Sequence, residues 1–520
     1  MTRPRLARTL LFALLSLLPG GVRAQDQTEV VESLYVRRGG APIWDLGTGT
    51  TGLARAAIVT LRAAEERGLD PRDYDVPRLD SLLAAPADPD PVRRAETDRL
   101  LTGALARYLR DLREGRMTET PFAHLATATP VDEAVLLLER AAAGEPVEAL
   151  AREVEPHLAQ YRALLRQLSR YRLLSTTLDP RPLPAGTVRP GQRYAGVSEL
   201  WRRLVSFGDL PAGVSFVPGI RYDTTLAEGV RRFQQRHALT PDGILGPATR
   251  KALAIRPEVR IRQISLALER LRWLPPLEGQ RLIVVNVPAF ELVAFDSIGA
   301  GVPALEMRVV TGGSFDHRTP VMLQPLRTVE FRPYWNVPRG ILTREIVPLL
   351  QRDPDYLRKQ QMEVLGVRDS VLGDSVTPGI LDALQQGRFR VRQRPGPWNS
   401  LGLTKFTFPN TDAIYLHGTP DTLAFTRSRR DLSHGCIRLQ DPAALAEWAL
   451  RDAPGWGLTR IDEALTGGDT VRAAVVQRTS VLIFYTTAVA TAVGDVLFYE
   501  DIYGHDEQLR AALSARKRRN

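Results

Sequence analysis

The stretch AIYLHGTPDTLAFTRSRRDLSHGCIRL, residues 413–439, contains the single cysteine of a 520-residue chain, Cys436, inside Ser433-His434-Gly435-Cys436. Apolar and polar residues alternate at both of its ends. In Ile414-Tyr415-Leu416-His417 a period of two sends Ile414 and Leu416 to the core, and Tyr415 and His417 to the opposite face. In Cys436-Ile437-Arg438-Leu439 it buries Ile437 and Leu439 and leaves Cys436 and Arg438 together. The reading predicts two strand ends presenting Tyr415, His417, Cys436 and Arg438 to one cleft of a β-rich domain.

A lone cysteine cannot form an internal disulfide, so its thiol is either idle or used for chemistry. A free thiol ionises near pH 8.5 and is mostly protonated at neutral pH. A neighbouring imidazole and cationic groups are expected to lower that value and supply thiolate. Gly435 lets the backbone approach a substrate closely, and the amides around Gly435 and Cys436 are candidate oxyanion donors. His434 is either structural or chemical, since one base suffices. A zinc site built from Cys436, His434 and His417 lacks an evident fourth ligand, so neither metal nor cofactor is expected. His124, His157, His237, His317 and His505 read as surface, turn or structural residues.

Outward from this stretch the pattern stays β-rich from about residue 256 to the end. The apolar run 282–287 predicts a strand, as do 307–311, closed by Gly312-Gly313, and 327–331. The runs 480–493 and 496–499, around Gly494-Asp495, predict a β-hairpin rather than a membrane span. Between 338 and 394 lies a mixed insertion with helical stretches at 343–351 and 378–386. Residues 188–255 read as a compact helical module: Leu226, Val230 and Phe233 form a helical stripe, Asp242-Gly243 a turn, and Gly246-Pro247 opens a last helix with Thr249 and Leu253. Residues 25–187 read as helical, with amphipathic stretches around 53–64, 92–114, 131–143 and 147–171 and a proline-rich linker over 178–190. At the start, Arg3, Arg5 and Arg8 precede a short apolar run and Val22-Arg23-Ala24, the pattern of an export signal spanning 1–24.

Length predicts two to four domains, and 44% hydrophobic with 25% charged residues is a globular composition. The net charge is +10. Its arginines are scattered apart from a short tail, which argues against a nucleic-acid-binding module and fits an anionic cell-envelope partner.

GVRRFQQRHALTPDGILGPATRKAL, residues 229–253, resembles the peptidoglycan-binding domain 1 family, a three-helix module of cell-wall enzymes. YLHGTP followed by SHGCIRL resembles the motif of the YkuD-type L,D-transpeptidases, a His followed after about 14–17 residues by Ser/Thr-His-Gly-Cys. VNVPAF, TPV, FRPYWNVP, RQRPGPWNSLGLTKFTFPN and FYEDIYGHD are similar to strings of their large periplasmic subfamily. The resemblance implies a multidomain α+β chain: a helical scaffold domain, the wall-binding module, and a β-rich, sandwich-like catalytic domain at 256–520 whose helical insertion caps the cleft. It implies Cys436 as the acylated nucleophile and His417 as general base, its ring held by the Gly418 carbonyl. His434, Gly435 and Cys436 would form the oxyanion loop, with Tyr415, Arg438 and Ser433 in the substrate cleft. Enzymes of this family attack peptidoglycan tetrapeptide stems, release D-Ala, hold a thioester and pass the acyl group to a second stem, giving 3→3 cross-links. Carbapenems acylate the same cysteine. An L,D-carboxypeptidase, a protein-to-wall transferase using the same acyl-enzyme, and an inactive wall-binding protein stay open. A papain-like protease is remote, because there the cysteine precedes its histidine.

Overall fold

The computed structural model describes residues 27–44, 52–84, 88–117, 125, 129–179, 181–211, 213, 219–277, 279–298, 302–313, 317–491 and 494–516. The expected export signal, His124 and most of the basic tail lie outside them. The chain forms two compact units. One comprises Met1–Leu61, Tyr74–Glu114 and Thr127–Val154; the other comprises Arg62–Asp73, Gly115–Ala126 and Glu155–Asn520.

The first unit is helical: α1 (Gln27–Arg37), α2 (Gly52–Arg62), α3 (Val76–Ala84), α4 (Pro91–Glu114), α5 (Val131–Ala142) and α6 (Val147–Val154). Leu101, Leu105, Tyr108 and Leu112 of α4 form its buried stripe. Buried Asp98 on the same helix accepts from the Tyr35 hydroxyl and from the amides of Ile43 (3.1 Å) and Trp44 (2.7 Å). A carboxylate can be buried only when satisfied in this way.

In the second unit, α7 (Ala159–Thr177) packs along α11 (Pro257–Arg272). The single amphipathic stretch expected over 147–171 is therefore two helices. Pro156 disfavours helical backbone at Glu155 and supplies no N–H, so α6 ends there. Between them in sequence comes the three-helix module, α8 (Val197–Phe207), α9 (Thr224–Arg236) and α10 (Pro247–Leu253). Asp223 caps α9 by accepting the Leu226 amide at 2.8 Å. Leu226, Val230 and Phe233 face the core, as their spacing predicts. Gln234, just beyond them, is 2% exposed. Its amide donates to Asp242 Oδ1 (2.8 Å), the Ile244 carbonyl (3.0 Å) and Thr249 Oγ1 (3.1 Å), and its carbonyl accepts from the Gly243 amide (2.8 Å). The residues that carry the module's resemblance thus hold its own turn in place.

The β-rich part contains β1 (Arg281–Asn286), β2 (Glu291–Phe295), β3 (Leu305–Gly312), β4 (Met322–Pro325), β5 (Thr328–Phe331), β6 (Trp335–Asn336), β7 (Met362–Leu365), β8 (Val371–Gly373), β9 (Arg390–Gln393), β10 (Thr404–Thr407), β11 (Leu416–His417), β12 (Asp431–Ser433), β13 (Ile437–Leu439), β14 (Val471–Ala474), β15 (Thr479–Phe484), β16 (Ala488–Ala490) and β17 (Val496–Phe498). Among the described residues the main sheet runs β14-β5-β10-β11-β13-β3-β2-β1-β15-β4, with β12 beside β3. β1 and β15 pair in parallel toward one edge of it, next to β4. Both are nearly continuous apolar runs because both faces are covered. The terminal run splits at Tyr485: its first half is β15, and its second half forms the expected hairpin, β16 with β17.

The insertion is not purely helical. β6, β9, β7 and β8 form a four-stranded sheet of their own. Arg339–Ile341, Leu342–Ile346 (a π-helical turn), Val347–Arg352 and Pro378–Gln385 pack on it around a separate core that includes Leu342, Leu357, Val364 and Leu384. Its strands are two to four residues long, too short for a period of two to stand out in the sequence.

Candidate active site

β11 and β13 run parallel, with Leu416 opposite Ile437 and His417 opposite Arg438. The Ile437 amide donates to the Tyr415 carbonyl at 3.1 Å and extends the pairing by a residue. Leu416, Ile437 and Leu439 are buried in the core. Tyr415, His417, Cys436 and Arg438 consequently share the other face. Cys436 and His417 are diagonal neighbours, about 8 Å apart at the backbone on ordinary strand spacings. The Sγ of Cys436 donates to the Ala413 carbonyl at 3.7 Å. Ala413 takes a left-handed φ of 56°. The Asn410 side chain holds that turn, accepting from the Ile414 amide (2.8 Å) and donating to the Ile414 and Phe408 carbonyls.

The loop that carries Cys436 is braced from below. Gly435 has φ +115°, and a Cβ there would lie 3.2 Å from Ile414 Cδ1. Thr319 Oγ1 donates to the Gly435 carbonyl (2.7 Å) and accepts from the Gly312 amide (2.8 Å). The Tyr503 hydroxyl donates to the Gly312 carbonyl (2.5 Å) and accepts from the Thr319 amide (3.1 Å). A Cβ on Gly312 would collide with the His317 carbonyl and come within 2.9 Å of Gly435 Cα. Ser433, expected in the substrate cleft, is buried and turned inward: its hydroxyl donates to the Cys436 carbonyl (2.5 Å) and accepts from the Gly435 amide (3.2 Å). That leaves the His434 and Cys436 N–H groups as the loop amides with no described partner.

Burial sets the electrostatics. The imidazole Nδ1 of His417 bonds the Gly418 carbonyl at 2.5 Å, which leaves Nε2 as the nitrogen able to take a proton. Burial pushes this histidine down to about 3, against the pull of that carbonyl and with help from the charges of Arg438 and Lys405. Burial pushes the Cys436 thiol up, opposed by hydrogen bonds from Tyr415 and by the charges of Lys405 and Arg438. The thiolate expected at rest is therefore replaced by a neutral thiol beside a neutral imidazole, because desolvation disfavours both charged forms. The Tyr415 hydroxyl is pushed up by burial and by the sulfur, and its ring stands edge-on to His417 at 5.5 Å.

Two contributors are missed by the sequence reading. Lys405 on β10 lies opposite His417, and its Nζ sits 4.2 Å over the Tyr415 ring. Alternation in Thr404–Thr407 places Lys405 on the polar face, but its pairing with β11 is not readable from local pattern. The second is Glu345 in the π-helical turn, whose Oε1 lies 2.7 Å from Nε2 of exposed His434. Through Glu345 the insertion touches the loop that carries Cys436, and the His434 ring also packs 4.6 Å from that of His317. Among the described residues no cluster of ligating side chains suits a metal ion.

Residues 280–481 match the family model of the L,D-transpeptidase catalytic domain, residues 29–168 a scaffold domain, and residues 193–253 the "Putative peptidoglycan binding domain". A "Putative L,D-transpeptidase" of Haemophilus influenzae is 33% identical over 253 residues, 48% of this chain and 49% of that protein. The match thus spans about half the length of each chain. The crystal structure of the L,D-transpeptidase from Xylanimonas cellulosilytica is 15% identical, covers 58% of this chain and 100% of its own, and has a TM-score of 0.19. A fused Zn-dependent amidase/peptidase/peptidoglycan-binding domain-containing protein from Clostridium acetobutylicum gives 11%, 58%, 100% and 0.15. At such scores neither solved structure bears on the chemistry of this chain. The chain carries an L,D-transpeptidase catalytic domain together with scaffold and peptidoglycan-binding domains.

Proposed function

We propose that the protein is a cysteine-dependent L,D-transpeptidase that joins peptidoglycan stem peptides through a thioester on Cys436. The observation that carries this reading is the shared face of Cys436 and His417 on adjacent parallel strands, with His417 Nδ1 held by the Gly418 carbonyl. As Sγ attacks the carbonyl carbon of the stem's third residue, Nε2 takes the thiol proton. The thiolate forms during attack and never has to persist in a dry site. The carbonyl oxygen becomes an oxyanion, for which the Cys436 N–H is available. Imidazolium then protonates the leaving nitrogen, the C–N bond breaks, and D-Ala departs. In the second half an amine of another stem attacks the thioester: the N–C bond forms, C–S breaks, and the amine proton returns through Nε2 to sulfur. Arg438 and Lys405 counter the negative charge passing through sulfur and oxyanion. The insertion, which reaches the nucleophile loop through Glu345 and His434, is placed to keep water from the acyl-enzyme.

The peptidoglycan-related domains imply a cell-wall location, and the segment 1–24 supports export to the periplasm. No helix among the described residues is long and apolar enough to cross a membrane. The module's motif residues are engaged with one another, so glycan binding by it rests on the family match alone.

The test is incubation with tetrapeptide-rich sacculi, with a parallel arm containing meropenem. Wild type should release D-Ala, form 3→3 dimers and gain one carbapenem mass. Cys436→Ala should do none of these, a loss of at least about 10³-fold. Tripeptide without dimers would make the protein a carboxypeptidase, and tripeptide linked to a protein would make it an attachment enzyme. An unmodified wild-type thiol would leave only a wall-binding role.

A further inference from the structure

The catalytic histidine belongs to a row that extends well beyond the thiol. Register places Arg472 on β14 opposite Glu330 on β5, Glu330 opposite Lys405 on β10, Lys405 opposite His417, and His417 opposite Arg438. Five charged or titratable side chains thus stand on one face across five strands. Over the far end of the row opens a cleft of about 550 Å³ whose lining includes Glu330, Tyr334, Asn336, Arg392, Lys405 and Arg472. Strands lie about 4.8 Å apart, so Glu330 sits about 10 Å from His417.

Three cations line this cleft against one carboxylate. Arg472 contacts Glu330 at 3.4 Å while its side chain is 71% exposed, so it lines the cleft with most of its surface open to solvent. Arg392 lies 4.2 Å over the Tyr334 ring and is aimed by Glu363 at 2.6 Å. Lys405, pressed on Tyr415, continues the positive edge to the nucleophile. A cleft this polar, with excess positive charge and with Lys405 standing opposite His417 on the next strand, suits an anionic extension of the substrate and not an apolar one.

We propose that this cleft is a carboxylate-binding subsite for a peptidoglycan stem peptide, with Arg472 and Arg392 taking a stem carboxylate about 15–20 Å from the backbone of Cys436 on ordinary strand spacings and Glu330 holding Arg472 in place. The proposal rests on the transpeptidase reading and names a determinant of its substrate. The carboxylate belongs either to the stem that acylates Cys436 or to the stem that resolves the thioester.

The test uses full-length Cys436→Ala protein, so that binding is measured without turnover, and a soluble tetrapeptide stem with its carboxylates either free or converted to carboxamides. Calorimetry should show the free acid binding about tenfold more tightly than the amidated peptide, and Arg472→Ala should erase most of that preference. An unchanged thermal melt shows that Arg472→Ala remains folded. Equal discrimination with and without Arg472 overturns the proposal, as does binding that ignores amidation. In the protein with Cys436 intact, a raised KM for D-Ala release in Arg472→Ala assigns the subsite to the donor stem. A lower ratio of dimer to hydrolysed tripeptide at unchanged D-Ala release assigns it to the acceptor. Wild-type acylation by meropenem is followed alongside. Its failure would overturn the transpeptidase reading while the binding result still decides the cleft.

Discussion

In the three-helix module the polar atoms of Gln234 are all taken by neighbours, whereas on the proposed catalytic face buried His417 and half-buried Cys436 have few partners. Both sets of residues carry a family-like string. The difference is what their polar groups are left to do. A satisfied amide fixes a turn and has no remaining valence for a ligand. An imidazole with one occupied nitrogen, next to a thiol held neutral by burial, has a proton acceptor and a proton donor in reserve. A recurrent motif therefore marks architecture in one place and chemistry in the other, and the hydrogen-bond inventory separates them.

The contrast breaks most visibly at His417. Replacing it with Gln should slow acylation of Cys436 by about 10²–10⁴-fold, read from the rate of carbapenem adduct formation; a rate near wild type would remove the base from the mechanism. The wild-type rate should stay level from about pH 5 to 8, because the folded imidazole protonates only near 3. An acid limb centred on 6.5, the ordinary imidazole value, would mean that the ring is solvated. Stability has the matching sign. Between pH 6.5 and 3 the unfolded chain binds a proton at this site that the folded chain does not. The contribution is whole above 6.5 and is lost as pH falls toward 3. His417→Gln should flatten that part of the stability curve.

Next in size is Gln234→Ala, which strands the polar partners of the module's turn. It should destabilise the module by about 1–3 kcal/mol, seen as faster amide exchange over 242–249, with Cys436 acylation unchanged. If acylation fell with it, the module would be part of the catalytic machinery and the comparison would fail. The smallest effect belongs to Glu345→Gln. The Glu345–His434 contact is half exposed, so its loss should cost about 0.2–1 kcal/mol and shift acylation less than about fivefold. Faster exchange over 342–346 without a larger rate change would mark the contact as a support of the insertion.

Local pattern carried the strand faces around Cys436 and His417, the buried run at 282–287 and the stripe of α9, because each depends only on near neighbours in sequence. The inward turn of Ser433 was not legible, because nothing local says that a loop hydroxyl will turn back to the carbonyl of Cys436. The row from Arg472 to Arg438 was invisible for a different reason: residues 472, 330, 405, 417 and 438 become neighbours only through strand pairing. The protonation state of the thiol was also hidden. Flanking histidine suggests activation, but burial reverses the resting charge, and burial is a property of the assembled sheet.

Gly312 has no chemistry of its own, yet its missing methyl group sets how closely β3 nests under Gly435. Any larger residue would have to lift the sulfur-bearing turn off the sheet or push away the chain at His317. The position has an alphabet of one letter, and a saturation library screened for carbapenem labelling should return the parental codon family alone.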